Sequence, residues 1–195
     1  YAMVGVNIVW ANSHGSFLVS LGLPFLFAGG LMGAQLLRYA WLGLFDRSQW
    51  TLAVTFLWLG AVCVLTSLIN PFGFHLHQHV YELAHSDYIR NSIFEWRSPF
   101  AETVRETRIF DVFTIFTLAL AIALIFRAQQ VSLIGWMLIV AFGYMALDAQ
   151  RHVAVWAIAC AYPLSEMGRG SIRTSVHRMA GALLATLIFI GAGTY

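Results

Sequence analysis

Residues 17–37, 50–69, 109–126 and 131–147 each form an almost unbroken apolar run. The hydrocarbon core of a bilayer is about 30 Å thick, and a helix rising about 1.5 Å per residue crosses it in about 20 residues. Inside lipid a backbone must satisfy its own N–H and C=O groups, which leaves the α-helix or the closed barrel. The runs lack the period-two alternation of barrel strands, so they read as helices. Composition agrees. The 195-residue chain is 59% hydrophobic and 10% charged, with a mean hydropathy of +0.73. Soluble domains carry about 25% charged residues, and a domain of this size has too little interior to hide the excess apolar surface. A soluble enzyme, a disordered chain and a secreted disulfide scaffold are excluded. Cys63 and Cys160 lie inside apolar runs and read as small core residues.

A further run, 177–194, follows Arg173 and His177. Two others are short. Residues 1–10 have neither the basic start nor the cleavage site of a signal peptide, and read as the end of a helix. Residues 152–164 begin at His152 and stop near Pro163, which suits a short or re-entrant helix. The expected fold is an all-α integral membrane protein of roughly five to seven transmembrane or re-entrant helices. It forms a single polytopic domain, 1–195, with N-terminal spans in 1–69, a polar loop at 70–108 and C-terminal spans in 109–195.

Every basic residue is Arg, and there is no Lys. If each segment crosses, Arg38, Arg47, Arg127, Arg169, Arg173 and Arg178 share one side against Asp46 and Glu166. The loop 70–108 and residues 148–151 fall on the other, where Arg is outnumbered by Glu82, Asp87, Glu95, Glu102, Glu106 and Asp148. The positive-inside rule then makes loop 70–108 extracytoplasmic. A net charge of +2 spread over loops gives no nucleic-acid footprint. Trp10, Trp41, Trp50 and Trp96 fit an interfacial aromatic belt. Gly29 and Gly33 form a GxxxG suited to close helix packing or a dimer face.

Chemistry-bearing residues concentrate in the polar segments. Asn70-Pro71-Phe72-Gly73 opens the long loop as a turn or a helix start. Residues 74–85 fit an amphipathic helix in the membrane interface, with Leu76, Val80 and Leu83 on one face and His75, Gln78, His79, Glu82 and His85 on the other. His75, His79 and Glu82 share a face, and imidazole with carboxylate suits a transition metal. The fourth ligand is missing, and His77 points elsewhere. His14 sits in a polar break between apolar runs, which lines either a cavity or the interface. Asp148, Arg151 and His152 form a charged knot, in which Asp148 and Arg151 have the i,i+3 spacing of a helical ion pair. His152 and His14 are the positions from which haem or a pigment would be ligated. Glu95 is the acid placed to act as a base, with Arg90, Arg97 and Arg151 as anion-binding groups. Glu95 has no second acid at motif spacing.

Four of these segments in order resemble a known family. They are Trp10-Ala11-Asn12-x-His14-Gly15, Asn70-Pro71-Phe72-Gly73, Glu95-Trp96-x-Ser98-Pro99 and Arg151-His152. Over about residues 8–165 the chain is similar to the middle and later membrane portion of bacterial multi-span proteins related to the type C glycosyltransferases. That resemblance implies an inner-membrane, multi-pass protein with a polyprenyl-phosphate lipid as a ligand. The acidic catalytic motif of the family lies in an earlier outward loop, and this chain has no counterpart to it. The expected function is therefore a non-catalytic multi-span subunit or scaffold of a larger bacterial membrane complex, with lipids and other membrane subunits as partners. The alternatives are a reduced or fragmentary polyprenyl-phosphate-sugar glycosyltransferase, and a pigment- or haem-binding subunit of a photosynthetic or respiratory complex.

Overall fold

The computed structural model describes residues 2–168, which form helices and turns with no strand among them. The expected span 177–194, and Arg169, Arg173 and Arg178, lie outside the described residues. The chain divides into two compact units, Tyr1–Ile89 and Arg90–Tyr195, and the boundary falls inside the long polar loop.

The first unit is built from α1 (Ala2–Ala11), α2 (Leu18–Leu42), α3 (Arg47–Ser67) and α4 (His75–Ala84). α2 ends at Gly43, whose φ of +64° is a left-handed cap conformation that favours glycine, and its N–H bonds the Tyr39 carbonyl at 2.9 Å. Asp46 then caps α3. Its Oδ1 accepts from the Ser48 N–H at 2.9 Å and the Ser48 hydroxyl at 2.6 Å, and these donors, the hydroxyl foremost, hold its carboxyl below the ordinary aspartate range. With this tight turn α2 and α3 pair as a hairpin, and α1 packs on α3. Asn7 ties the three helices together. It is fully buried, donates to the Cys63 carbonyl at 2.8 Å and Thr66 Oγ1 at 3.1 Å, and accepts from Ser20 Oγ at 2.5 Å. A buried amide with all its partners adds specificity to an otherwise apolar helix interface.

In the second unit α5 (Asp87–Ser92), which begins just before the boundary, and α6 (Glu102–Arg105) lead into α7 (Arg108–Arg127). α8 (Leu133–Asp148) and α9 (Val153–Gly168) follow. Phe113 and Phe116 of α7 meet Trp156 of α9, with ring centroids 5.7 and 5.0 Å apart. α8 and α9 pack closely. A Cβ added at Gly135 would lie 2.8 Å from Glu166 Oε2 and 3.2 Å from Pro163 Cβ.

Two expectations are corrected here. Pro163 does not end the last short segment, because α9 continues through it to Gly168. Proline removes one helical donor, and the side-chain-free Gly135 makes room for its ring. Glu166 is consequently no loop residue. It is buried in α9 and accepts from Ser132 N and Ser132 Oγ, both at 2.9 Å.

Among the described residues, three helices are long and apolar enough to cross a membrane, Gly15–Leu42, Arg47–Ser67 and Arg108–Gln130. α1 and α8 are apolar but shorter.

Candidate functional site

The sequence motifs meet in pairs inside each unit. In the first, Asn12 Nδ2 donates to the Ile69 carbonyl at 2.7 Å, which joins the Trp10–Gly15 segment to the start of Asn70–Gly73. His14 caps the turn that follows it. Its Nδ1 accepts from the Ser16 N–H at 3.1 Å and lies 2.7 Å from Ser16 Oγ, to which Trp10 Nε1 also donates. His14 is exposed and serves this local turn.

α4 forms where the amphipathic pattern places it. Leu76 and Val80 pack on the core of Ala11, Phe17, Leu21 and Cys63, while His75, Gln78, His79, Glu82 and His85 are exposed. His77 points away from that exposed face and into the core. Its Nε2 lies 2.9 Å from Ser67 Oγ, and its ring meets Phe17 edge-on at 5.2 Å. Glu82 accepts from Gln78 at 2.8 Å. Among the described residues no three His, Cys, Asp or Glu side chains are grouped to hold a metal, so His75, His79 and Glu82 share a face without forming a cage.

In the second unit the charged candidates converge on the turn between α8 and α9. α8 stops at Asp148 because Ala149 is extended, with φ −144° and ψ 130°. A helix end leaves four carbonyls without helical donors, and the segment 94–98 supplies one. Ser98 Oγ donates to the Leu147 carbonyl at 2.8 Å. In return, Gln150 fastens that segment. Its N–H bonds the Arg97 carbonyl at 2.9 Å, and its Nε2 bonds the Phe94 carbonyl at 2.5 Å. His152 Nδ1 lies 3.0 Å from the Met145 carbonyl, and Arg151 Nε donates to its other ring nitrogen at 3.4 Å. Both His152 nitrogens are engaged.

The expected Asp148–Arg151 pair is not made. The extended Ala149 breaks the helical register that would bring them together. Asp148 instead takes a bidentate bond from Arg90, at 2.9 and 3.1 Å. Arg151 lies on Trp96, with Cζ 3.7 Å from the ring centroid, a cation–π contact. Arg97 is turned inward on its own segment, bonding Thr103 Oγ1 at 2.9 Å and the Asn91 carbonyl at 2.6 Å. Glu95 is exposed, and acts on Arg151 electrostatically without forming an ion pair among the described residues.

Arg90, Trp96, Arg97, Ser98, Glu102 and Asp148 line a polar cleft of about 440 Å³. Sequence reasoning missed Gln150 and Glu102. Gln150 gives no motif signal, because its importance comes from backbone carbonyls more than fifty positions away. Comparison with protein-family models, curated proteins and solved structures finds no match to this chain.

Proposed function

We propose that this chain is a non-catalytic multi-span subunit or scaffold of a larger bacterial inner-membrane complex. The observation that carries the reading is how the charged groups around the turn between α8 and α9 are used. Asp148 is neutralised by Arg90 in bidentate geometry. Arg97 is bonded to Thr103 and to the Asn91 carbonyl, and Arg151 lies on Trp96. General-base catalysis needs a carboxylate held within hydrogen-bond reach of a substrate proton. Glu95 stands exposed and makes no ion pair among the described residues. The segment is thus fastened to the end of α8, with Asp148 and Arg97 engaged by the protein's own groups.

The same reading takes the chain across the membrane five to seven times with loop 70–108 extracytoplasmic, and α4 at the interface. The sequence asymmetry in Arg supports that sidedness. α4 also fits it, with Leu76 and Val80 on the protein core and its histidines exposed.

A reduced polyprenyl-phosphate-sugar glycosyltransferase is the second reading. It is favoured by Arg151 stacking on Trp96, which joins two of the four family-like motifs at one site. Turnover decides between them. The purified chain incubated with polyprenyl-phosphate sugars is expected to release no sugar. Turnover that disappears in Glu95→Gln would establish the enzyme instead.

A further inference from the structure

Between α7 and α9 runs a second groove of about 430 Å³, lined along its length by Ile109, Val112, Phe116, Ala154 and Ala157. Ile109 and Val112 are 40% and 60% exposed, on a helix long and apolar enough to cross a membrane. The two alanines leave room that larger side chains would fill.

One end of this groove is unlike the rest. Arg108 opens α7 there, and Gln150 and Arg151 precede α9. Neither guanidinium has a carboxylate partner among the described residues. Arg151 meets Trp96 with its face and His152 with its Nε, which leaves its terminal N–H groups without an acceptor among the described residues. Glu95 offsets part of this charge from a distance. Gln150 is only 4% exposed. Its Nε2 is bonded to Phe94, but its Oε1 has no hydrogen-bond donor. A buried acceptor left unpaired is costly, so this oxygen calls for a hydroxyl or N–H from outside the described residues.

An apolar groove with two arginines at its mouth suits an anion that carries a hydrocarbon tail. The orphan oxygen adds a headgroup donor to that description. We propose that this groove binds one phosphatidylglycerol molecule. Arg108 and Arg151 hold its phosphate, a headgroup hydroxyl donates to Gln150 Oε1, and an acyl chain lies along Ile109, Val112 and Phe116. A single phosphodiester charge matches the two arginines offset by Glu95. The proposal does not depend on whether the chain turns over sugar, so failure here leaves the scaffold reading to its own test.

The experiment is a lipid titration of the purified full chain in mild detergent, read by native mass spectrometry. Four probes are used: phosphatidylglycerol, phosphatidylcholine with the same acyl chains, glycerol phosphate and a polyprenyl phosphate. Phosphatidylglycerol is expected to bind at least about ten-fold tighter than each of the others. Arg108→Gln, which removes a side chain with no partner among the described residues, and Ala154→Leu, which fills the groove from an exposed position, should each weaken it about ten-fold without changing the melting temperature. Equal retention of phosphatidylglycerol and phosphatidylcholine would overturn the proposal, as would undiminished binding in both variants. Glycerol phosphate binding as well as the whole lipid would reduce the site to an anion site and overturn it. So would a polyprenyl phosphate binding tighter than phosphatidylglycerol.

Discussion

His152 occupies the turn into α9 half-buried, donating from Nδ1 to the Met145 carbonyl and accepting from Arg151 at Nε2. Burial, aided by the nearby Arg151 charge, pushes its pKa below the ordinary histidine value. The Met145 carbonyl and Asp148 oppose that shift without cancelling it. The sign follows from linkage. Above about pH 6.5 the ring is neutral in both folded and unfolded chain, and its contribution to stability is complete. As pH falls through that value the unfolded chain takes the proton first, and stability declines until the folded ring is protonated as well. Protonation also destroys the acceptor that receives Arg151. Melting temperatures in detergent are expected to fall from about pH 7 to pH 5, with a shallower fall in His152→Gln. Equal slopes would contradict the assignment. Other single residues were less legible from sequence. Asn7 is one polar residue in an apolar run, a recognisable signal of an internal partner, but its three partners come from α2 and α3. Asp148 and Arg151 have helical spacing, and only the backbone at Ala149 shows that the helix has already ended.

At the scale of elements, apolar length and periodicity carried most of the information. The helices over 18–42, 47–67, 108–127 and 133–148 fall on the expected apolar runs. α4 separates its faces as its amphipathic pattern requires. Close packing was harder to locate. The visible motif is Gly29 and Gly33, yet Gly29 is exposed, while the crowded glycines are solitary ones. A Cβ at Gly60 would approach the Phe25 ring at 2.8 Å, and one at Gly135 would meet both Val131 and Glu166 at that distance. A lone glycine carries no spacing signal, because the reason for it lies on another helix. The consequence is testable at Gly135, where the crowding atoms are buried and held by other bonds. Gly135→Ala should destabilise the α8–α9 packing by about 1–3 kcal/mol, read by detergent unfolding, and Gly29→Ala should cost less. A neutral Gly135→Ala would show that the two helices can separate without penalty.

For the whole molecule, the partnership of distant segments was not legible in the sequence. If every segment spans, residues 11–16 fall on one side with loop 70–108 and residues 148–151. Each unit brings its own members of that set together, through Asn12 with Ile69 in one and Arg97 with Gln150 in the other. The division at Ile89 and Arg90 had no signal, since nothing in the composition changes there. The central claim is that the charged segment after this boundary is fastened to the end of α8 as a structural cap. Its principal bond is Arg90 to Asp148, whose side chains are 41% and 37% exposed. Exposed ion pairs are worth about 0.2–1 kcal/mol, with bidentate geometry toward the upper end. The direct measurement is a double-mutant cycle of Arg90→Ala and Asp148→Ala, followed by reversible unfolding in detergent. The account predicts a coupling of about 1 kcal/mol, with each single variant destabilised. Strictly additive effects, or single variants as stable as the parent chain, would contradict it.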